Sequence, residues 1–378
     1  MEELSLYIHI PFCKSKCHYC DFLSFFNEDE KIDTYFLALL MELDYLNQIK
    51  DKYIIKTIFI GGGTPTYVHD KYIIKVIEKI RSIMVLHKDA ELSIEGNPGT
   101  FHKNTLLPLK GIGLNRLSIG LQCWQDELLT SIGRTHTKKE FLQSYDAAIS
   151  AGFTNINIDL IFGLPRQSLF QWQETLEKVV ALCPAHLSCY SLKIEEGTAF
   201  GKQLQNKEIY LDDVLDRQMY HEARRYLWES GYEQYEISNF MKDGFQCVHN
   251  LVYWEVKPYL GFGLGAHSYF EKYRFHNEKN LNKYIEKLFA GNTIKGDKIL
   301  VHQQNYKEEY IFLGLRKIKG IYKKDYKERF SKSISEEYQD EINRLISLEL
   351  LEEDEVCIKL TSKGLDFANQ VFRAFLKN

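Results

Sequence analysis

The sequence lacks an excess of positive charge. Its 48 lysine and arginine residues are balanced by 52 aspartate and glutamate residues, which gives a formal net charge of −4. Proteins that bind DNA or RNA neutralise backbone phosphates with a basic surface. This composition therefore argues against a nucleic-acid partner.

The sequence also lacks a long apolar run and a secretion signal. No stretch reaches the roughly 20 apolar residues that a helix needs to cross a bilayer. The first residues, Met1-Glu-Glu-Leu-Ser5, have neither the basic nor the apolar region of a signal peptide. We expect a cytoplasmic protein, with peripheral attachment to a membrane left open.

The cysteines are not distributed as disulfide partners. Three of the eight lie between positions 13 and 20, and in a reducing compartment such a cluster is typical of a metal site. We interpret the other five as small buried apolar residues. They are Cys123, Cys183, Cys189, Cys247 and Cys357.

Short apolar runs alternate with helical patterns from residue 5 to about residue 237. The runs are 4–10, 57–60, 91–95, 116–121, 155–162 and 186–194. Six strand-helix units with right-handed parallel crossovers follow from this repetition. Because a complete barrel has eight units, we predict an α/β fold with a partial (β/α)6 barrel over residues 1–237.

The strand-helix repetition loosens beyond residues 232–237. Residues 238–300 are expected to connect the barrel to a separate unit at 301–378. In that unit we predict helices at 306–318 and 335–350, a strand at 356–360, and Thr361 as the N-cap of a last helix. A mostly helical, winged-helix-like domain results, and the acidic stretch at 349–355 favours a structural or docking role over DNA binding.

The clustered cysteines have the sequence Cys13-Lys-Ser-Lys-Cys17-His-Tyr-Cys20 and directly follow the first predicted strand. Iron-sulfur cubanes are usually held by four cysteines, so three closely spaced ones leave one iron without a protein ligand. That iron is free to bind a substrate. The alternative is a zinc site completed by His18 or by a distant residue.

Polar and glycine residues occur where the next predicted strands end. Gly61-Gly-Gly-Thr-Pro65 follows the second strand, where missing side chains let a polar ligand approach the backbone, although a plain tight turn explains it equally well. Glu95 ends the third strand and Gln122 follows the fourth. Because parallel barrels bind ligands at the carboxyl ends of their strands, we expect these groups to lie together. Taken singly, Glu95, Gln122, Arg134 and Asp159 are each more commonly satisfied structural residues.

Four motifs together resemble the oxygen-independent coproporphyrinogen oxidase branch of the radical S-adenosylmethionine (SAM) proteins. They are Tyr7-Ile-His-Ile-Pro-Phe-Cys13 with its cysteine spacing, Gly61-Gly-Gly-Thr-Pro-Thr66, Arg116-Leu-Ser-Ile-Gly-Leu-Gln122 and Ile158-Asp-Leu-Ile-Phe-Gly-Leu-Pro165. The resemblance covers nearly the whole chain and implies a 4Fe-4S cluster and SAM as cofactors.

The matching motif positions imply a role for individual residues. The resemblance assigns the cluster to Cys13, Cys17 and Cys20, and it leaves catalytic residues unassigned. It assigns SAM contacts to Tyr7, Tyr19, Gly62, Gly63, Thr64, Glu95, Gln122, Arg134 and Asp159.

Two departures separate this sequence from the true oxidases of the branch. Those enzymes carry a fourth cysteine two positions after the last cluster ligand, where this sequence has Phe22, and they carry an N-terminal extension before the motif that Tyr7 opens here. Together with His249-Asn-Leu-Val-Tyr-Trp254, the departures are similar to the HemW-like heme chaperones. That likeness implies a protein that binds heme and delivers it to respiratory proteins, with membrane docking and homodimerisation left open.

The likeness to the heme chaperones implies His249 as a heme ligand, and imidazole is a common ligand of heme iron. Without the motif, a hydrogen-bonded structural histidine is the usual interpretation. His267, in the glycine-rich segment 261–268, is either a metal ligand or, more commonly for such a position, a buried hydrogen-bonded residue.

Other functions stay open on the sequence. The first alternative is an oxygen-independent coproporphyrinogen III oxidase that decarboxylates two propionates with SAM-derived radicals. A related radical methyltransferase or heme-opening enzyme is the second. The third is a scaffold stabilised by zinc and without redox chemistry.

Overall fold

Six parallel strands lie side by side in chain order in the computed structural model, which describes residues 1–377. They are β1 (Glu2–Ile10), β2 (Tyr53–Gly62), β3 (Leu86–Gly96), β4 (Arg116–Gln122), β5 (Asn155–Phe162) and β6 (His186–Ser191). Each strand pairs in parallel with the next. This arrangement is the predicted partial barrel of strand-helix units.

Helices connect the parallel strands. They are α1 (Ile32–Glu42), α2 (Asp70–Ile83), α3 (Lys103–Gly111), α4 (Asp126–Ser131), α5 (Lys138–Ser150), α6 (Leu169–Ala181), α7 (Ala199–Gln205) and α8 (Asp213–Glu229). In α2, the buried residues Ile73, Val76, Ile77 and Ile80 repeat at helical spacing and form the face that packs inward. Capping boxes begin α5 at Thr137 and α6 at Ser168.

Residues 232–300 extend both edges of the same sheet. The elements here are β7 (Glu233–Glu236), β8 (Asn239–Met241), α9 (Val248–Trp254), β9 (Tyr259–Phe262), β10 (His267–Phe270), β11 (Tyr273–His276), α10 (Leu281–Phe289) and β12 (Ile299–Leu300). Strand β9 pairs in parallel with β1, and β10 to β12 continue from it antiparallel. The segment after β8 therefore adds strands to the sheet on the β1 side. The sequence pattern did not predict these strands.

A helical unit with a small antiparallel sheet follows. Its elements are α11 (Gln303–Gly314), β13 (Ile321–Tyr322), α12 (Lys323–Phe330), α13 (Ile334–Glu337), α14 (Gln339–Ser347), β14 (Leu351–Glu353), β15 (Cys357–Leu360), α15 (Ser362–Asp366) and α16 (Ala368–Ala374). The strand order is β13-β15-β14. Oγ1 of Thr361 accepts a hydrogen bond from the N–H of Gly364 at 2.9 Å, which makes Thr361 the N-cap of α15. The prediction that it caps the last helix was wrong, because the chain forms a further helix, α16, after Phe367.

Two further observations complete the fold. Within residues 1–377, the chain forms no helix of sufficient length and hydropathy to span a bilayer. Four of the five scattered cysteines are buried as expected, but the expectation was wrong for Cys183, whose side chain is exposed. Cys183 adopts a left-handed conformation with φ 55° just after α6, where the chain turns at the surface.

Candidate functional site

Three half-buried thiols lie on the loop that follows β1. The N–H of Cys13 donates to the carbonyl of Phe25 at 2.9 Å, and the N–H of Cys20 donates to the carbonyl of Cys17 at 3.2 Å. Sγ of Cys13 lies 3.4 Å from Oγ1 of Thr64, which follows β2. The cysteine loop thus sits against the glycine-rich turn at the carboxyl ends of β1 and β2.

The glycine-rich turn packs closely against the cysteine loop. A Cβ atom on Gly63 would lie 2.7 Å from the carbonyl oxygen of Phe12 and 2.9 Å from Sγ of Cys13. Gly62 has φ +116°, which L side chains rarely adopt. Its N–H donates to Oε2 of Glu95 at 3.2 Å. A side chain on Gly62 would collide with the ring of His9, and a side chain on Gly63 would collide with Cys13, so both positions require glycine.

The donor set fits an iron-sulfur cubane. Burial raises the pKa of the Cys13 and Cys20 thiols, so they stay protonated until a metal replaces the proton. Among residues 1–377, no three His, Cys, Asp or Glu side chains gather as the ligands of one metal ion would. A cubane does not require that convergence, because each thiolate binds a different iron.

A buried guanidinium adjoins the cysteine loop. Nη1 of Arg134 donates to Sγ of Cys17 at 3.6 Å, and Nη2 donates to Oδ1 of Asn97 at 2.6 Å and to the carbonyl of Gly120. Its Nε is buried without a hydrogen-bond partner in the described part of the chain. An unused N–H on a buried cation next to the thiols is suited to an anionic ligand group.

A cavity of about 220 Å³ lies within the partial barrel, and we call it the inner cavity. Each of the six parallel strands contributes to it. Its lining is Tyr7, Phe22, Phe59, Gly62, Glu95, Arg116, Ser118, Asn157, Asp159, Ser188, Tyr190, His249, Asn250 and Tyr253. The structure therefore brings together four of the predicted SAM contacts, Tyr7, Gly62, Glu95 and Asp159.

Two carboxyl groups in the inner cavity have perturbed acidity. Burial, and then the charge of Asp159, raise the pKa of Glu95 to about 8. Burial also raises the pKa of Asp159, although hydrogen bonds from Ser118 at 2.8 Å and Asn157 at 2.9 Å oppose it. A cationic ligand beside these carboxyl groups would stabilise their ionised form and lower their pKa.

The remaining predicted SAM contacts lie in adjoining positions. Thr64 and Arg134 line a smaller space of about 40 Å³ with Cys17 and Asn97. Gln122 ends β4 with φ 75°. The side chains of Gln122 and Arg134 both lie close to Gly120: a Cβ on Gly120 would be 2.8 Å from Nε2 of Gln122 and 3.0 Å from Nη2 of Arg134. Tyr19 packs on a separate apolar cluster that includes Leu129 and Ile132.

Both ring nitrogens of His249 are hydrogen-bonded inside the protein. Nδ1 lies 2.6 Å from Oγ1 of Thr57, and Nε2 lies 2.9 Å from the hydroxyl of Tyr253. The residue is 1% exposed, and burial, together with the charge of Arg116, lowers its pKa to about 3. His249 borders the inner cavity as a neutral imidazole, and its Nε2 reaches iron only when Tyr253 releases it.

His267 differs from the more common expectation for its position. It is exposed at the start of β10, and its ring makes no hydrogen bond within residues 1–377. The interpretation as a buried hydrogen-bonded residue was therefore wrong. The reason is local: residues alternate sides along a strand, and the buried Ala266 and Ser268 on either side leave His267 facing outward.

Sequence reasoning missed two site residues. Arg116 lines the inner cavity, is 2% exposed, and has a buried Nε without a partner among the described residues. Asn97 donates to Oγ1 of Thr64 at 2.8 Å and accepts from Arg134, so it joins the glycine turn to the guanidinium. The sequence carried a signal for each of them. Arg116 is a charged residue at the start of a buried strand, and Asn97 is an amide directly after β3.

Comparison with protein families gives two matches. Residues 7–179 match the Radical SAM superfamily, and residues 301–367 match the HemN C-terminal domain. The chain is also similar in fold to the solved structure of coproporphyrinogen III oxidase (HemN) from Escherichia coli. The TM-score is 0.87 at 24% identity, covering 99% of this chain and 90% of that one.

Curated relatives are similar over nearly the full length. The heme chaperone HemW of Bacillus subtilis is 37% identical, covering 98% of this chain and 99% of the relative. HemW of Lactococcus lactis is 33% identical, covering 98% and 97%. HemW of Escherichia coli is 39% identical over 71% of this chain and 70% of the relative.

Proposed function

The chain belongs to the family of the HemW heme chaperones, within the radical SAM superfamily, and from this premise we propose that it is a heme carrier. It binds a 4Fe-4S cluster, SAM and heme, and it passes heme to respiratory acceptor proteins. The observation that carries the proposal is the 37% identity to a named heme chaperone over 98% of the chain.

The cluster site is the loop of Cys13, Cys17 and Cys20. Cys13, Cys17 and Cys20 would hold a cubane, which would supply an open iron for SAM and, when reduced, the electron for cleavage of its sulfonium. The protein's own contribution is to position SAM against that loop. The contact of Thr64 with Cys13 and the Nε of Arg134, which has no partner among the described residues, support this placement.

The SAM contacts divide by charge. Arg134 pairs with the carboxylate of SAM, because its guanidinium is buried and not fully hydrogen-bonded. Glu95 receives the ammonium, and Asp159 and Gln122 face the ribose hydroxyls. The remaining proposed contacts are the turn residues Gly62, Gly63 and Thr64 and the tyrosines Tyr7 and Tyr19.

A carrier role is favoured over decarboxylation by the residue at position 22. Phe22 is 63% exposed and borders the inner cavity, where the oxidases have a fourth cysteine. An apolar ring at the cavity mouth offers contact to a porphyrin and no thiol for radical chemistry.

His249 belongs to this proposal as a heme ligand that becomes available when Tyr253 moves. The proposed location is the cytoplasm, with acceptors at the membrane and a homodimer as further expectations.

The proposal is tested with full-length protein reconstituted anaerobically with iron and sulfide. One portion is titrated with heme, and another is incubated with SAM, a reductant and coproporphyrinogen III. We expect a Soret band from bound heme, transfer of that heme to an apo-cytochrome, and no protoporphyrinogen. Conversion of coproporphyrinogen with formation of 5′-deoxyadenosine would establish the oxidase instead, and a colourless preparation would overturn the cluster.

A further inference from the structure

A second and more open space lies next to the inner cavity, and we call it the outer groove. Its volume is about 640 Å³, within the roughly 300–1,000 Å³ typical of cofactor and ligand sites. Residues of the cysteine loop form one side, and the turn between β9 and β10 forms the other. The lining is Tyr7, His9, Lys16, Asp21, Phe22, Leu23, Ser24, Tyr253, Tyr259, Gly265, Ala266, His267 and Lys279.

The lining suits a flat aromatic ligand. Phe22, Tyr7, Tyr253 and Tyr259 supply aromatic surface from four different parts of the chain. Phe22 is 63% exposed, so its ring is accessible to a ligand in the groove. Phe22, Tyr7 and Tyr253 border both the outer groove and the inner cavity, so a ligand in the groove lies directly beside the proposed SAM site.

Three imidazoles lie around these two spaces, and only one has unoccupied nitrogens. His9 is bonded through Nε2 to the carbonyl of Leu23 at 2.7 Å and through Nδ1 to the hydroxyl of Tyr7 at 3.0 Å. His249 is bonded through both nitrogens as described above. His267 is exposed and, within residues 1–377, has no side-chain hydrogen bond. His267 can therefore bind the iron of a ligand without first breaking a hydrogen bond within the protein.

The surroundings of His267 keep it in the form that binds metals. Partial burial, then the nearby His276, Lys279 and Arg274, lower its pKa. His276 is its cross-strand partner on β11, with ring centroids 5.2 Å apart. A lowered pKa leaves the imidazole neutral at neutral pH, and neutral imidazole is the ligand of heme iron.

Two lysines supply positive charge at the groove. Neither Lys16 nor Lys279 forms an ion pair in the part of the chain that the structure describes. Lys16 donates to the carbonyl of Phe22 and to Oγ of Ser24, the latter at 2.9 Å. Lys279 is exposed, and a Cβ on Gly265 would lie 3.6 Å from its Cγ. Heme carries two propionates, which pair favourably with such cations.

The wall that carries His267 is fixed by a buried carboxyl group. Glu42 is 8% exposed and accepts hydrogen bonds from the N–H of Gly263 and from Nδ2 of Asn277, both at 2.8 Å, and from the hydroxyl of Tyr284. These bonds tie the segments before and after the β10–β11 hairpin to α1. The groove is therefore held in shape before any ligand enters.

We propose that heme binds in the outer groove, with His267 as an axial ligand of its iron and its propionates toward Lys279 and Lys16. This inference rests on the heme-carrier function proposed above and adds the position of the heme. Heme at this position reaches solvent through the open side of the groove, and Phe22 and Tyr253 separate it from the inner cavity.

The test is heme titration of the full chain, followed by the Soret band, in wild type and three single variants. His267→Ala is expected to raise the dissociation constant for heme at least about tenfold, which corresponds to about 1.4 kcal/mol. His249→Ala is expected to weaken heme binding less than His267→Ala does, because Nε2 of His249 is bonded to the hydroxyl of Tyr253 and reaches a ligand only after a rearrangement. His302→Ala is the matched control, because His302 is also exposed and lacks a side-chain hydrogen bond but lies outside the groove.

Two further variants separate ligation from a structural role. His267→Met is expected to bind heme with a shifted Soret maximum, since a thioether then replaces the imidazole on iron. Lys279→Glu is expected to weaken binding of heme but not of heme dimethyl ester, whose propionates carry no charge. A purely structural effect of position 267 would not change the spectrum in this way.

The outcomes distinguish the two proposals. If wild type gains no Soret band, the heme-carrier function itself is wrong. If wild type binds heme, His267→Ala keeps the affinity and spectrum of wild type, and His249→Ala loses them, the carrier function stands and the outer-groove site is overturned.

Discussion

Oγ1 of Thr57 and Nδ1 of His249 lie 2.6 Å apart, with both residues at most 1% exposed. This bond joins β2 to α9, and the backbone N–H groups of Val248 and His249 donate to the carboxylate of Glu91 on β3 at 2.8 and 3.1 Å. Helix α9 is thereby fixed on the sheet by buried polar contacts. The histidine of the His-Asn-Leu-Val-Tyr-Trp motif has a structural role whether or not it binds iron.

Thr57→Val tests that structural role. Valine keeps the shape of threonine and leaves Nδ1 of His249 buried without a partner, which costs about 1–3 kcal/mol. We expect the free energy of unfolding, measured by urea titration, to fall by that amount. Thr154→Val is the control, because Thr154 is exposed just before β5 and makes no side-chain bond within residues 1–377. Equal stability of the two variants would contradict the prediction.

Cys17→Ser tests the cluster site. Loss of one of three thiolates is expected to abolish the brown colour and lower the iron and sulfide content after anaerobic reconstitution. Cys183→Ser is the matched control, since Cys183 is exposed and distant in sequence from the cysteine loop. We expect it to retain full iron content. Equal iron content in both variants would remove the cysteine loop as the cluster site.

Arg134→Gln tests the proposed carboxylate contact. A hydrogen bond to a charged group contributes about 1.5–3 kcal/mol, so the dissociation constant for SAM should rise at least about tenfold. Cluster content should stay unchanged, because Arg134 contacts Cys17 without replacing it as a ligand. Calorimetry of SAM binding and iron analysis measure the two effects separately. Arg225→Gln, at an exposed position on α8, is the control.

The raised pKa of Glu95 predicts a pH dependence of SAM binding. With a pKa of about 8, the free carboxyl group is mostly protonated at pH 7, whereas the ammonium of SAM stabilises its ionised form. Binding therefore releases a proton, and affinity should rise as pH increases toward 8 by up to about tenfold per pH unit, then level off. Dissociation constants at pH 6, 7, 8 and 9 measure this change.

Glu95→Gln is the matched variant for the pH series. The amide does not titrate, so its affinity for SAM should be weaker and nearly independent of pH over the same range. Calorimetry in two buffers of different ionisation enthalpy should show proton release for wild type only. If the slope persists in Glu95→Gln, another group is responsible for it.

The parallel part of the fold could be predicted from the sequence because each of its strands contains a short, mostly apolar run and the runs alternate with helical patterns. The predicted run at 155–162 coincides with β5, and the other predicted runs fall on the remaining five strands within a few residues at their ends. Strands β9 to β12 were missed for a physical reason. They have two to four residues each and depend on pairing with β1 and with one another, which local propensity does not encode.

The site was predictable only as far as its motifs. Tyr7, Gly62, Glu95 and Asp159 were expected to lie together, and they do line one cavity. The bond of His249 to Thr57 joins residues more than 190 positions apart. The exposure of His267 follows from the β10–β11 hairpin. No local pattern carries that information.

The pairing of β1 with β9 has a consequence for how the protein is made. Tyr7 lies beside Gly261, and at about 5–20 residues per second roughly 13–50 s of synthesis separate the two. Until then the edge of β1 that β9 covers has unpaired backbone groups, while the cysteine loop is already outside the ribosome. A nascent chain stopped before residue 259 keeps that edge open to other strands and is prone to aggregate. Strand β10, which begins at His267, pairs with β9. A chain therefore forms its proposed heme groove only after β9 has paired with the exposed edge of β1.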